Sequence, residues 1–130
     1  MGLSEMILDM TDPDRRSVLV VEDEPPIRLL LEDGLTTEGY AVRTASDAGE
    51  ALSLLQSSSS DVVLLDLMLP GMNGLELARR IRERWPVCIV AMSASSNMLD
   101  IARHNPCVDK AVRKPFDWDS LIEDLEEVVA

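Results

Sequence analysis

LLDLMLPGMNG (residues 64–74) carries an abrupt change of character. A run of aliphatic side chains stops at one carboxylate, Asp66, and breaks at once into a turn containing Pro70, Gly71 and Asn73. A charge at the edge of a hydrophobic strand costs solvation energy unless something binds it. Asp66 therefore reads as a side chain with a partner, set where a strand over 61–66 gives way to a turn and then to a helix from Gly74 to about Arg84.

The same alternation extends in both directions. Upstream, SVLVVE (17–22) is an aliphatic strand, followed by a helix from Pro25 to about Glu38. Two prolines suit its first turn, where a missing N–H does no harm. Ile27, Leu30, Leu31 and Leu35 are expected on its buried face, and Gly39 at its C-terminal cap. YAVRTA (40–45) alternates as a second strand. A helix from Asp47 with Ala48, Ala51, Leu52 and Leu55 inward follows it, and the serine run 57–60 is a surface turn. Downstream come VCIVAM (87–92), a weakly patterned helix over about 95–104, VDKAV (108–112) and a final helix from about Asp117. In the weak helix only Met98, Ile101 and Ala102 stand out as core candidates.

Five strands alternating with five helices imply a parallel sheet covered on both faces. Uniformly aliphatic strands belong in such a sheet, because both of their faces are buried. The expected fold is α/β, a five-stranded parallel sheet with helices on both faces, in which an order of 2-1-3-4-5 would place strands one and three side by side. Residues 1–16 are expected to form a mobile arm and residues 17–130 one domain.

The bulk composition agrees with a single ordered domain: 130 residues, 46% hydrophobic and 28% charged. A net charge of -12 disfavours direct binding to nucleic acid or to an anionic membrane surface. No apolar run approaches the ~18 residues of a membrane span. Cys88 and Cys107 form no CxxC pair, and His104 is the one histidine, so neither a disulfide framework nor a zinc site is expected. The opening MGLSEMILDMTDPDRR is acidic where a secretory leader is basic, so a reduced cytoplasmic setting is expected.

Polar residues gather at the strand ends. The first strand ends at Glu22-Asp23, the third at Asp66, the fourth at Ser93, and the fifth runs into Lys114. In an open parallel sheet, ligands bind at the carboxyl ends of the strands where the strand order reverses. Three carboxylates, a hydroxyl and a lysine would converge there. Taken singly, each has a plainer reading as a turn, a cap or a loop residue; the joint placement is what overturns those readings. Adjacent carboxylates repel one another, and a hard divalent cation such as Mg²⁺ makes sense of them. A carboxylate beside such an ion can accept a phosphoryl group, with Lys114 supplying positive charge and Ser93 a donor.

VLVVEDEPPIRLLLEDGL, LLDLMLPGMNGLEL, AMSA and KPF resemble the motifs of receiver domains from bacterial two-component response regulators, over about residues 17–129. The resemblance implies a flavodoxin-like, doubly wound (βα)5 fold with strand order 2-1-3-4-5, and phosphorylation of Asp66, with Mg²⁺, by a phosphohistidine on a sensor histidine kinase or a histidine phosphotransfer protein. It implies that Asp23, Asp66 and the Met68 backbone carbonyl ligate the metal and that Glu22 acts largely through water. By the same resemblance Ser93 is the switch hydroxyl, Lys114 pairs with carboxylate or phosphate, and the Lys114-Pro115 bond is cis. The output would be a change at the face formed by helix four, strand five and helix five. That change would be read by a downstream protein or a fused output domain. Such a domain is a signalling phosphoacceptor and not an enzyme acting on an external substrate.

The chain departs from the pattern at Ala111, where receivers usually carry Tyr or Phe, and at Pro106-Cys107, where Gly-Ala is usual. Met68 and Ser95 occupy positions that, in the receivers this chain resembles, lie near the pocket mouth and influence attack by water. Two other classes compete: an interaction module with an inherited pocket and no switching, and a phosphatase with a nucleophilic aspartate. The second is disfavoured by Met68, which stands where such enzymes place another Asp.

Overall fold

The computed structural model describes residues 15–129. The expected arm over 1–16 lies outside the described residues except for its last two. Arg15 Nε and Nη2 donate to the carbonyls of Gly39 and Tyr40 at 3.3 and 3.2 Å, and the Arg16 carbonyl accepts from Ala41 N–H at 2.8 Å.

Five strands form the sheet: β1 (Ser17–Val21), β2 (Ala41–Ala45), β3 (Val62–Asp66), β4 (Cys88–Ser93) and β5 (Lys110–Arg113). The helices between and after them are α1 (Pro25–Thr37), α2 (Ala48–Ser57), α3 (Gly74–Arg84), α4 (Ser96–Arg103) and α5 (Trp118–Val129). All neighbouring strands of this sheet are parallel, as the alternation predicts, in the order β2-β1-β3-β4-β5, the flavodoxin-like order that the resemblance implied. A short antiparallel hairpin, Met68–Leu69 against Met72–Asn73, follows β3 and turns through Gly71 at φ +79°.

Side chains of a strand point alternately to opposite faces, so one strand feeds two cores. Val18, Val20, Leu64, Val90 and Met92 face one way and pack with Leu31 and Leu35 of α1 and Leu121 and Leu125 of α5. Leu19, Val21, Val63, Leu65 and Ile89 face the other way, against α2 and α3. Each such fully buried Leu, Ile or Val contributes about 1.5–3 kcal/mol relative to exposure. A third, smaller cluster of Leu67, Ala91 and Ala102 seats α4, with Met98 and Ala111 beside it.

The local stops follow from sequence. α1 closes in a Schellman motif: Gly39 N–H donates to the Thr36 carbonyl and Tyr40 N–H to the Leu35 carbonyl, with Gly39 at φ +101°. Asp47 caps α2 by accepting from Glu50 N–H at 2.8 Å. The serine run is more than a surface turn, because Ser60 is buried and Arg43 Nη2 donates to its Oγ at 2.9 Å.

Two helix faces differ from expectation. Leu30 is 60% exposed, because the buried stripe of α1 runs through Leu31 and Leu35 and leaves position 30 on its flank. In α4 the buried pair is Leu99 and Ala102, while Ile101 is 46% exposed. An eight-residue helix offers too few turns for periodicity to select its inner face.

Two glycines permit close approach. Bare Gly34 of α1 lets the indole of Trp118 lie where a Cβ would sit, 2.4 Å from its nearest ring atom. At Gly74 an added Cβ would be 2.5 Å from the Leu67 Cα and 2.9 Å from the Asp66 carbonyl oxygen. The obstruction there is backbone and cannot swing aside. Gly74→Ala should therefore cost about 1–3 kcal/mol, read as a lower denaturation midpoint with unchanged slope.

Candidate functional site

Strand register assembles the site. Val21 pairs with Leu65, Asp66 with Met92, and Ser93 with Arg113. Glu22, Asp66, Ser93 and Lys114 therefore step across the carboxyl edge of three adjacent strands and the loop after β5. The Leu67 N–H to Met92 carbonyl bond at 2.9 Å and the Lys114 N–H to Ser93 carbonyl bond at 2.9 Å extend the ladder past the strand ends.

The carboxylates of Glu22, Asp23 and Asp66 offer oxygens that all lie within 4.8 Å of one another. Glu22 is 0% exposed, Asp66 4%, and Asp23 lies at the pocket edge. Lys114 enters from the β5–α5 loop, and the Lys114-Pro115 bond that follows it is cis, as the resemblance implied. Its Nζ donates to Glu22 Oε1 at 2.7 Å and to Asp66 Oδ2 at 3.0 Å, with Glu24 Oε2 at 3.9 Å. The other Asp66 oxygen accepts from Met68 N–H at 2.9 Å.

Ser93 is fully buried one residue beyond the partner of Asp66, and its Oγ accepts from Ser95 N–H at 3.0 Å. Ser95 caps α4, its own Oγ accepting from Met98 N–H at 3.2 Å. Met68 is an exposed side chain, and with Met72, Met98 and Asp23 it lines an open depression beside the acids.

These neighbours set the charges. Burial, and then hydrogen bonding with Asp66, push the Glu22 carboxyl up to about 7, against the pull of Lys114. Burial alone would raise Asp66, but hydrogen bonds from Glu22, the Met68 amide and Lys114 outweigh it and hold Asp66 below its ordinary value. Burial also works against the Lys114 ammonium, and its bonds to Glu22 and Asp66 more than compensate, raising it. Near neutral pH the metal-free pocket thus holds an ionised Asp66 and a lysine cation beside a Glu22 carboxyl close to its midpoint between protonated and charged.

An all-oxygen donor set of this kind fits a hard cation. Mg²⁺ prefers carboxylate and carbonyl oxygens, and Glu22, Asp23 and Asp66 bring such oxygens within 4.8 Å of one another. Sequence reasoning overlooked one contributor, Arg28, whose Nη1 donates to the Glu22 carbonyl at 2.9 Å and the Asp23 carbonyl at 3.3 Å. Its signal was present, an arginine one turn into the helix that follows the acids. It also overlooked Gly74, which lets α3 start against the Asp66 backbone.

A family model described as "response regulator receiver domain" matches residues 18–126. Among solved structures, the response regulator protein TrrA of Thermotoga maritima, in complex with Mg(2+)-BeF, is 36% identical at a TM-score of 0.79, covering 87% of this chain and 98% of that one. The chemotaxis response regulator CheY4 of Vibrio cholerae is 27% identical at 0.79, covering 88% and 98%. NtrX from Brucella abortus, in complex with ATP, is 33% identical at 0.78 over 87% of this chain, which spans only 26% of that longer one. Among the described residues, no helix is long and apolar enough to cross a membrane.

The raised Glu22 value gives a pH signature. The fold favours protonated Glu22, so this contribution is complete below about 4.5 and is lost as pH rises through about 7. In chelator, stability should fall by about 1–3 kcal/mol across that window. Glu22→Gln should flatten the slope in denaturation midpoints measured at constant ionic strength.

Proposed function

This chain belongs to the response regulator receiver domain family, and from that membership we propose that it is a phosphoacceptor in two-component signalling. Asp66 takes a phosphoryl group from a phosphohistidine on a sensor histidine kinase or a histidine phosphotransfer protein. The observation that carries this reading is Lys114 Nζ, which bridges Glu22 and Asp66 inside the same acidic cluster that includes Asp23.

Glu22, Asp23, Asp66 and the Met68 carbonyl would hold Mg²⁺, which when bound offsets the charge of an incoming phosphoryl group. An Asp66 carboxylate oxygen supplies the electron pair for the new O–P bond. The P–N bond to the donor imidazole breaks, its pair stays on nitrogen, and that nitrogen takes up a proton. Lys114, already 3.0 Å from Asp66, balances charge on the transferred oxygens. Ser93 Oγ turns to donate to one of them. Nothing in this scheme requires an external metabolite as substrate.

The switch works without an aromatic relay. Ala111 packs among Leu67, Ala91, Ala102 and Met98 and has no ring to swing. Ser93 Oγ instead holds the Ser95 amide, and Ser95 caps α4. When Ser93 turns to the phosphoryl group, Ser95 loses an acceptor and the first turn of α4 loosens. α4 rests on two buried residues, Leu99 and Ala102, and is tied to β5 by the Arg113 Nη2 to Ser96 Oγ bond at 2.9 Å. The α4–β5–α5 face is thereby altered for a downstream protein or a fused output domain.

Acetyl phosphate with Mg²⁺ should add one phosphoryl mass to the chain, and Asp66→Asn should add none. A native chain that gains no mass would instead be an interaction module with an inert pocket. With a beryllofluoride mimic, hydrogen exchange should quicken across residues 94–104, and Ser93→Ala should lose that response. Unchanged protection there would end the relay. Because apolar Met68 offers no acceptor to orient water at the pocket mouth, the acyl phosphate should persist for minutes without a phosphatase; decay within seconds would contradict this.

A further inference from the structure

We propose that Arg28 is a positioning residue for the cation site, a clamp on the backbone of the acidic turn; this rests on the phosphoacceptor reading above. The turn over residues 22–24 has one long internal bond, Glu24 N–H to Glu22 Oε2 at 3.3 Å, made to a carboxylate a metal would claim. Pro25 and Pro26 occupy the first helical positions and bring no N–H, and the N-cap residue Glu24 makes no side-chain cap. Glu22 N–H is spent on the Ala45 carbonyl in β2.

Arg28 compensates from one turn into α1. Its Nη1 donates to both the Glu22 and the Asp23 carbonyls, and its own amide donates to the Glu24 carbonyl at 3.0 Å. The residue is thus tied to three consecutive carbonyls of the turn that presents two of the three acids. Those carbonyls govern the direction in which the Glu22 and Asp23 side chains leave the chain. The planar guanidinium suits this duty, since its donors are rigid and its charge is permanent.

The two cations near the acids have different tasks. Lys114 donates to carboxylate oxygens, the same atoms a metal would take. Arg28 donates to main-chain carbonyls, so its bonds can persist when the carboxylates are engaged elsewhere. Residues that orient ligands from behind typically change metal affinity by 10–100-fold when removed. A helix-surface arginine with only a packing role would lower melting temperature and leave metal affinity alone.

The test is calorimetric titration of Mg²⁺ into the native chain, Arg28→Met and Arg28→Lys, with melting of each in chelator. Arg28→Met should raise the Mg²⁺ dissociation constant about tenfold, at the low end for such partners, and Arg28→Lys by less. Melting in chelator should move little. Phosphoryl uptake from acetyl phosphate should need correspondingly more Mg²⁺ for half-saturation, with a smaller effect on the plateau rate. An unchanged dissociation constant in Arg28→Met overturns the clamp and leaves the phosphoacceptor reading standing. A loss confined to the plateau rate also overturns it, since that would place Arg28 at the reacting group. A native chain that binds no Mg²⁺ overturns both readings. If Arg28→Met does not fold, native affinity in Arg28→Lys overturns the clamp.

Discussion

The half-buried ammonium of Lys114, hydrogen-bonded to Glu22 and Asp66, is the contact on which the carboxyl edge of the sheet depends. Ion pairs removed from water gain little net stability, because desolvation offsets most of the attraction. Taking away one partner is a different matter, as it leaves the others charged and without compensation. The cluster is therefore better understood as a constraint than as a source of stability. Three acids share one amine here, and the upward push on the Glu22 carboxyl reflects how costly a further negative charge is at this buried edge. A fold that needed only stability would have filled this edge with aliphatics, as it does everywhere below it.

What brings these groups together is the register of parallel strands. β3 and β4 each end one residue beyond the partner of the preceding strand's last residue, and Asp66 and Ser93 inherit their places from the main-chain ladder of the Val, Leu and Ile residues before them. The aliphatic core and the polar rim are thus one construction. A one-residue slip in β3 would turn Asp66 to the opposite face of the sheet and bring Leu65 or Leu67 to the rim in its place.

The legible part of the molecule was the part governed by repetition. Alternating runs of Val and Leu reported five strands, their uniform burial reported a sheet covered on both faces, and Gly39 and Asp47 reported helix ends. The strand-end acids, Ser93 and Lys114 could be brought to one rim because topology alone places them there. What escaped was set by distance in space. Which side of α4 turns inward depends on the shallow seat formed by Leu67 and Ala91, so Leu99 was missed and Ile101 taken for core. Arg28 acts through main-chain carbonyls, which no residue pattern advertises. The hairpin after β3 has two residues per arm, below the length at which alternation carries information.

The meeting of Trp118 with Gly34 has a mechanical outcome. An indole seated on bare helix backbone interlocks α1 and α5 as a key in a slot, and neither can slide past the other without lifting the ring clear. That flank of the sheet behaves as ballast. Displacement generated at the rim finds less resistance on the opposite flank, where the shortest helix stands on the smallest foundation, so the molecule's compliance is lopsided by design of its packing.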